Sequence, residues 1–355
     1  MSYKQHLINI NSTIKHCLKS LGEVGIDTIL FVVNENSQLI GCVTDGDIRR
    51  GLLRNITIED SVSKVLNPKP KFLREECYDI KDLKKLRNKN YKLIPILDKN
   101  DVIKKVINFR SILSYLPVDV VIMAGGLGSR LKPLTDNTPK PLLKIGSKSI
   151  IDYNIDRLIK FGIDDFWITV NYLGDQIKDH FKKRKLRNIK INFVDEDSPL
   201  GTLGAVSKIN NFKHNYILVI NSDVLTNLNY ENFFQDFKEK NAEMSVVSIP
   251  YDVKIPYAVM ETKNNEVFSF LEKPTYTYYS NGGIYLIKKS ILNKIPKNKF
   301  YNATDFMSLL LKEKLKLISY PIRNYWTDIG KHDDYAKAKV DFKSLNFNNL
   351  EEENI

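Results

Sequence analysis

The 355-residue sequence predicts an α/β protein with a mostly parallel mixed sheet, preceded by a smaller duplicated module. Three observations carry this expectation. After Leu116-Pro117, short apolar strands alternate with amphipathic helices, the pattern of a sheet joined by crossover helices. Before it, two stretches repeat one order of helix, strand, polar turn, strand and helix. Between them, a continuous apolar run opens directly into a glycine-rich loop. The boundaries are placed at 1–116 for the module (copies about 8–60 and 61–116), 117–345 for the larger domain, and 346–355 for a frayed tail.

In the first copy, a helix is expected over Thr13 to Val24, a strand over Thr28 to Val33, a turn at Asn34-Glu35-Asn36, a strand over Leu39 to Val43, and a helix from Asp47 to Leu53. The second copy runs through a helix from Tyr78 to Asn88, a strand from Leu93 to Leu97, the turn Asp98-Lys99-Asn100, a strand from Val102 to Ile107, and a helix from Arg110 to Tyr115. The phrase Leu39 to Arg50, with Thr44 and Asp47 after an apolar strand, resembles the tandem cystathionine-β-synthase (CBS) module. That resemblance implies a possible ligand site at Thr44 and Asp47, with a ribose on their oxygens and a phosphate near a helix N-terminus. It also implies a homodimer and a regulatory nucleotide as partners. The second copy has Asn108 and Ser111 where the family usually has Thr and Asp.

In the larger domain, Val118 to Met123, apolar apart from Asp119, reads as a strand of the fully buried kind. Ile150 to Phe161 reads as a helix with Ile151, Ile155, Leu158 and Ile159 on one face. Further strands are expected at Phe166 to Asn171, Lys190 to Val194, Tyr216 to Ile220 and Met244 to Ile249, and a helix is expected to start near Gly201.

Composition narrows the function class. No window approaches the ~20 apolar residues of a membrane span, and the N-terminal residues lack the pattern of a secretory signal, so no membrane partner and a cytoplasmic location are expected. Cys17, Cys42 and Cys77 match no zinc spacing and read as buried thiols. The net charge of +12 comes from scattered lysines such as Lys182, Lys183 and Lys185 without interleaved aromatics, so no nucleic acid is expected, and attraction of small phosphorylated anions accounts for the balance. His180, His214 and His332 show no ligand spacing.

The chemistry is concentrated after the first buried strand. In Ala124-Gly125-Gly126-Leu127-Gly128-Ser129, glycines let backbone amides approach an anion without side-chain obstruction. A lone loop of this kind also fits an ordinary tight turn. Arg130 follows two residues after Gly128, and Lys140, within Pro139-Lys140-Pro141, follows ten residues after the arginine. Two cations converging on a phosphate cradle suit a triphosphate under attack, where charge builds on the α-phosphate and on departing pyrophosphate. Asp223 follows the apolar strand Tyr216 to Ile220, at the carboxyl end where α/β sheets hold ligands.

This order of motifs resembles the nucleoside-diphosphate-sugar pyrophosphorylase family, and the resemblance continues for about 210 residues. It implies a Rossmann-like nucleotidyltransferase fold. It assigns the nucleotide to Ala124, Gly125, Gly126, Gly128, Ser129, Asn171, Gly201 and Thr202, and the sugar phosphate to Glu272, Lys273, Asn281 and Gly283. Arg130, Lys140 and Lys273 become the catalytic cations, and Asp223 with Asp328 the ligands of a Mg²⁺ cofactor. Ser222 stands where the family usually has Gly. The implied reaction is in-line attack by a sugar 1-phosphate oxygen on the α-phosphorus of a nucleoside triphosphate, with no covalent enzyme intermediate.

The segment Val170 to Leu173 with Pro199 to Ala205 looks most like guanylyltransferases acting on mannose or heptose phosphates. The fused CBS pair is similar to the glucosamine-1-phosphate guanylyltransferases of bacterial legionaminic acid pathways. GTP and glucosamine 1-phosphate are therefore the expected substrates, with mannose or heptose 1-phosphate, or another base, as the alternative. A sensor with an inactive catalytic fold would have lost part of the set that Arg130, Lys140, Asp223, Lys273 and Asp328 make up. A second, acetylating activity would need hexapeptide repeats that do not follow Asp328.

Overall fold

The computed structural model describes residues 3–75, 78–186 and 188–344. Cys77 and the expected tail 346–355 lie outside the described residues. The chain divides into two compact units, with the break in sequence between Tyr115 and Leu116; Lys160–Gly162 group with the first unit.

The first unit contains two three-stranded sheets. One is built from β1 (Leu7–Asn9), β2 (Ile29–Val33) and β3 (Leu39–Thr44), and the other from β4 (Leu73–Arg74), β5 (Leu93–Leu97) and β6 (Ile103–Asn108). Their helices are α1 (Ile14–Glu23), α2 (Asp45–Leu52) and α3 (Ile80–Asn88). Thr13 caps α1 by accepting the His16 amide, and Ile14, Cys17 and Leu21 form its buried stripe. Phe31, Val33 and Cys42 of one sheet share a core with Leu93, Leu97 and Ile103 of the other, so each copy covers the apolar face its twin would leave wet. Cys17 and Cys42 are buried, and burial pushes both thiols up to about 11, so they remain protonated packing groups.

The expected helix from Arg110 to Tyr115 does not form. In the first copy, Thr44 and Asp47 make a reciprocal capping box that starts α2. In the second copy the equivalents are Asn108 and Ser111. Asn108 accepts the Arg110 amide two residues on, an Asx turn, and Ser111 donates to the Asn108 carbonyl. The side chains of Asn108 and Arg110 both bond Asp27, and the turn does not propagate.

The second unit is built on a seven-stranded sheet from β7 (Val118–Met123), β10 (Asp165–Val170), β11 (Lys190–Asp195), β12 (Tyr216–Asn221), β14 (Met244–Lys254), β17 (Thr275–Lys288) and β18 (Leu317–Pro321). The order is β11-β10-β7-β12-β17-β14-β18, and β17 alone runs against the rest. Around it lie the hairpin β8 (Lys144–Ile145) and β9 (Lys148–Ser149), the pair β13 (Val224–Thr226) and β19 (Trp326–Asp328), and the hairpin β15 (Val259–Lys263) and β16 (Glu266–Leu271). The helices are α4 (Ile150–Lys160), α5 (Gly174–Arg184), α6 (Gly201–Gly204), α7 (Tyr230–Glu239), α8 (Ala303–Lys312) and α9 (His332–Ser344). No helix among the described residues is long and apolar enough to cross a membrane.

Two features position the site. Met123 lies opposite Thr169 on one side and Asn221 on the other, so the segments leaving β7, β10 and β12 emerge together at one edge of the sheet. The strand expected at Met244 to Ile249 instead continues to Lys254 and pairs with β17 out to Thr275. Beyond Ile249 its residues are mostly exposed, so burial did not signal this length.

Candidate active site

The strand register places the glycine loop, Asn171 and the turn Asn221-Ser222-Asp223 side by side. The Ala124 amide bonds the Thr169 carbonyl of β10, and the strand ends there at the glycine loop. Gly128 takes a left-handed conformation (φ 63°), its carbonyl accepts the buried Thr135 hydroxyl at 2.9 Å, and Ser129, Arg130 and Leu131 begin a short 3₁₀ turn. At Gly126 an added Cβ would meet nothing within 4 Å, so its backbone faces open space. A cleft of about 370 Å³ opens here, lined by Gly125 to Arg130, Lys140, Pro141, Pro199, Asn221 to Asp223 and Gly330.

Lys140 is the centre of this arrangement. Its ammonium is ion-paired to Asp223 Oδ2 and lies 4.0 Å from Asp328 Oδ1, although the lysine side chain is only 12% exposed. Asp328 reaches the site because β19 pairs with β13, placing it opposite Val224. The Asp223 and Asp328 carboxylates each keep a buried Oδ1 with no hydrogen-bond partner. Burial, and then the charge of Asp223, push the Asp328 carboxyl up to about 6, while Lys140 and Arg130 oppose the shift. Arg130 extends along Gly330, whose Cβ position is 3.5 Å from the guanidinium and from the Asp328 carboxylate.

Two carboxylates with unused inward oxygens fit a hard divalent cation, which accepts a few protein oxygens and completes its shell with phosphate and water. No group of three or more His, Cys, Asp or Glu residues that could hold a metal occurs among the described residues. Most of such a shell would therefore come from the substrate.

Other residues surround this centre. Asn171 donates its side-chain amide to the Glu196 carbonyl at 2.5 Å, behind Gly125. Gly201 (φ 72°) opens α6 two residues after the cleft residue Pro199 and packs on Tyr301 and Asn302; Thr202 follows it, and neither lines the cleft. Gly283 (φ 70°) packs on Asn221, and Asn281 Oδ1 accepts the Gly283 amide, so the glycine segment of β17 borders the same edge. Glu272 and Lys273 lie elsewhere, past the outer end of the β14–β17 ladder. Thr44 and Asp47 belong to the first unit. There Thr44 donates its hydroxyl to Asp47 Oδ2 at 2.7 Å, and Arg50 takes Oδ1 at 2.5 Å, so these oxygens serve the start of α2.

Sequence reasoning missed two supports. Glu196, only 8% exposed, accepts the Leu200 amide through Oε2 at 3.0 Å, and its Oε1 lies 2.7 Å from where a Gly125 Cβ would sit. It joins the glycine loop to the Pro199 segment. Within Asp195-Glu196-Asp197-Ser198 it reads as one more polar turn residue, so nothing local marks it. Asn154 of α4, also buried, donates to the Ser222 carbonyl at 3.3 Å and holds the turn that carries Asp223.

A family model described as nucleotidyl transferase matches residues 119–344, and one described as CBS domain matches residues 1–54. Mannose-1-phosphate guanyltransferase of Schizosaccharomyces pombe is 31% identical over 224 residues, 61% of this chain and 61% of that protein. D-glycero-alpha-D-manno-heptose 1-phosphate guanylyltransferase of Aneurinibacillus thermoaerophilus is 29% identical over 229 residues, 64% of this chain and 99% of the relative. The crystal structure of HddC from Yersinia pseudotuberculosis complexed with GMP-PN matches with a TM-score of 0.50 at 29% identity, covering 63% of this chain and 99% of that one. This chain spans about three fifths of the length of the mannose-1-phosphate guanyltransferases it matches.

Proposed function

Because the chain belongs to the nucleotidyl transferase family and carries a CBS domain at its N-terminus, we propose that it is a sugar-1-phosphate guanylyltransferase, joining GTP and a sugar 1-phosphate into a GDP-sugar with release of pyrophosphate. The observation that carries this reading is Lys140, held against Asp223 and near Asp328 at the mouth of a glycine loop. A buried cation at a phosphate cradle has no structural need that an apolar residue would not meet more cheaply. It suits a site where negative charge appears during reaction.

In this reading the loop amides of Gly125 and Gly126 hold the triphosphate, with Ser129 beside them. A sugar 1-phosphate oxygen attacks the α-phosphorus in line, the bond to the bridging oxygen breaks, and pyrophosphate carries away the electron pair. Lys140 and Arg130 stabilise charge on the α-phosphate and the departing group. Mg²⁺ on Asp223 and Asp328 would neutralise phosphate charge in the ground and transition states. The family resemblance assigns Asn171, Gly201 and Thr202 to the base and ribose, Asn281 and Gly283 to the sugar, and Glu272 with Lys273 to the attacking phosphate; Gly201 and Thr202 stand outside the cleft lining, and Glu272 and Lys273 past the outer end of the β14–β17 ladder.

The guanine base is supported by the relatives named for guanylyl transfer and by the solved complex with GMP-PN. Their names also favour mannose or heptose 1-phosphate over glucosamine 1-phosphate and a legionaminic acid route. The first unit would bind a regulatory nucleotide or hold subunits together. Pyrophosphate release from a panel of four nucleoside triphosphates with mannose, heptose and glucosamine 1-phosphates tests the reading. GTP with mannose or heptose 1-phosphate is expected to give the highest kcat/KM. Preference for UTP or CTP defeats the assignment of the base.

A further inference from the structure

The residues between Arg130 and Lys140 form no strand and no α-helix. The backbone bonds of this segment close single turns, such as the Leu134 amide on the Leu131 carbonyl and the Asp136 amide on the Pro133 carbonyl. Nothing in such turns fixes how far one cation stands from the other. The segment is held from outside, and each tether lands on a main-chain carbonyl. Tyr172 Oη donates to the Asp136 carbonyl at 2.8 Å, with the Thr135 carbonyl at 3.3 Å. Gln176 Nε2 of α5 donates to the Asn137 carbonyl at 3.1 Å. From α9, His332 Nε2 donates to the Lys132 carbonyl at 2.8 Å and, past Lys140, Tyr335 Oη donates to the Lys144 carbonyl at 2.7 Å. Because every acceptor is a backbone oxygen, these bonds fix the path of the chain and not one side chain.

Tyr172 is the tether with the shortest route to the chemistry. It sits in the tight turn between β10 and α5, and that turn is itself anchored: the Gly174 amide bonds the Asn171 carbonyl, and the Asn171 side chain donates to the Glu196 carbonyl. The phenol holds the backbone of Thr135 and Asp136. Thr135 is fully buried and donates its hydroxyl to the Gly128 carbonyl at 2.9 Å. A Cβ at Gly128 would lie 3.0 Å from Thr135 Cγ2 and 3.2 Å from Lys140 Cβ. Tyr172, Thr135, Gly128 and the stem of Lys140 therefore make one run of contacts, which ends at the ammonium paired with Asp223. Tyr172 does not line the cleft. We infer that Tyr172 is a positioning residue: its hydroxyl holds the Thr135–Asp136 backbone where Lys140 meets the α-phosphate, without touching substrate. The part given to Lys140 rests on the function proposed above. Misplacing a reacting geometry by about 1 Å costs up to about a hundredfold in rate, whereas one hydrogen bond from a half-buried phenol adds little to the stability of the fold. The two effects are separable by measurement.

Tyr172→Phe in the full chain keeps the ring and removes only the hydroxyl. Pyrophosphate release is expected to show kcat lowered at least about fivefold, with the KM for GTP within about threefold of wild type and Tm lower by no more than about 4 °C. In a Lys140→Ala background the same substitution should lower kcat no further, because a residue that acts through Lys140 then has nothing left to place. Hydrogen exchange of the amides across residues 134–143 should rise about fivefold, the effect of one lost hydrogen bond on an opening equilibrium, while the amides of β12 keep their wild-type rate. A smaller loss of kcat, a change confined to the KM for GTP, or the same fold loss with and without Lys140 overturns the proposal. Unchanged exchange across residues 134–143 also overturns it, and that readout needs no turnover. A wild-type protein that releases no pyrophosphate with any substrate pair refutes the functional reading, while exchange still decides whether Tyr172 holds this segment.

Discussion

Replacing Lys140 with alanine separates the catalytic use of this site from its structural cost. The lysine side chain is 12% exposed, pairs with Asp223 and stands 4.0 Å from Asp328. Its removal leaves two neighbouring carboxylates whose buried Oδ1 atoms already lack partners. Breaking a fully buried pair costs about 3–5 kcal/mol. Here the Asp223 and Asp328 side chains are 20% and 42% exposed, so water screens part of the charge and about 2–3 kcal/mol is expected at pH 8. For a unit of this size that is a fall in Tm of about 5–10 °C. The loss should depend on pH with a defined sign. Asp328 is raised from the ordinary value of 3.8 to about 6, and Lys140 works against that rise. Without the lysine, the folded state holds the Asp328 proton more tightly still, so stability returns as pH falls through 6 and is lost as pH rises. Turnover should fall at least about a hundredfold, the scale of lost electrostatic stabilisation. Thermal unfolding at pH 8 and pH 5.5, together with pyrophosphate release, checks both halves. Wild-type stability at pH 8 with no pH slope would refute the ion-pair argument, and near wild-type turnover would refute the catalytic one.

Asp328→Asn should act in the opposite sense on stability. The raised carboxyl contributes stability that is present below about 3.8 and lost as pH rises through about 6, so the variant should melt higher than wild type at pH 8 and equally at pH 3.5. It should also lose turnover, as should wild type stripped with EDTA, and added Mg²⁺ should restore only the wild type. At Gly128, φ is 63° and a Cβ would come within 3.0 Å of Thr135 Cγ2 and 3.2 Å of Lys140 Cβ; Gly128→Ala should cost about 1–2 kcal/mol in urea unfolding and lower kcat by displacing Lys140. Gly126→Ala, where a Cβ meets nothing, should leave the unfolding midpoint unchanged and raise the KM for GTP; equal unfolding midpoints for the two variants would show that the αL turn at Gly128 does not hold the loop.

Much of this molecule was legible locally. The stretch Val118 to Met123, apolar but for Asp119, reads as a buried strand, and β7 has those bounds. The helices expected from Thr13 and from Asp47 form as α1 and α2, and the structure shows Thr13 and Thr44 as their caps, each accepting an amide three residues on. The glycine loop, Arg130 and Lys140 fall within sixteen residues, close enough in sequence to suggest a phosphate site, and all of them line one cleft. Where the local signal was weaker, expectation failed: Asn108 and Ser111 form a turn and no helix follows.

The sequence by itself determined the α/β class, the repeated order of elements in the first unit and the glycine loop at the end of β7, since each depends on hydrophobic period or on residues within about a dozen positions of one another. Only the tertiary structure decided which distant groups share a charge. Lys140 and Asp223 are 83 residues apart and meet because β7 and β12 are neighbouring parallel strands of one sheet. Asp328 joins them through the β13–β19 pairing, and Glu196 and Asn154 support them from elements with no motif of their own. Lys273, in contrast, follows its strands away from the centre. Strand order and register are set by the burial of whole sheet faces, a sum over many residues that no short stretch of chain encodes.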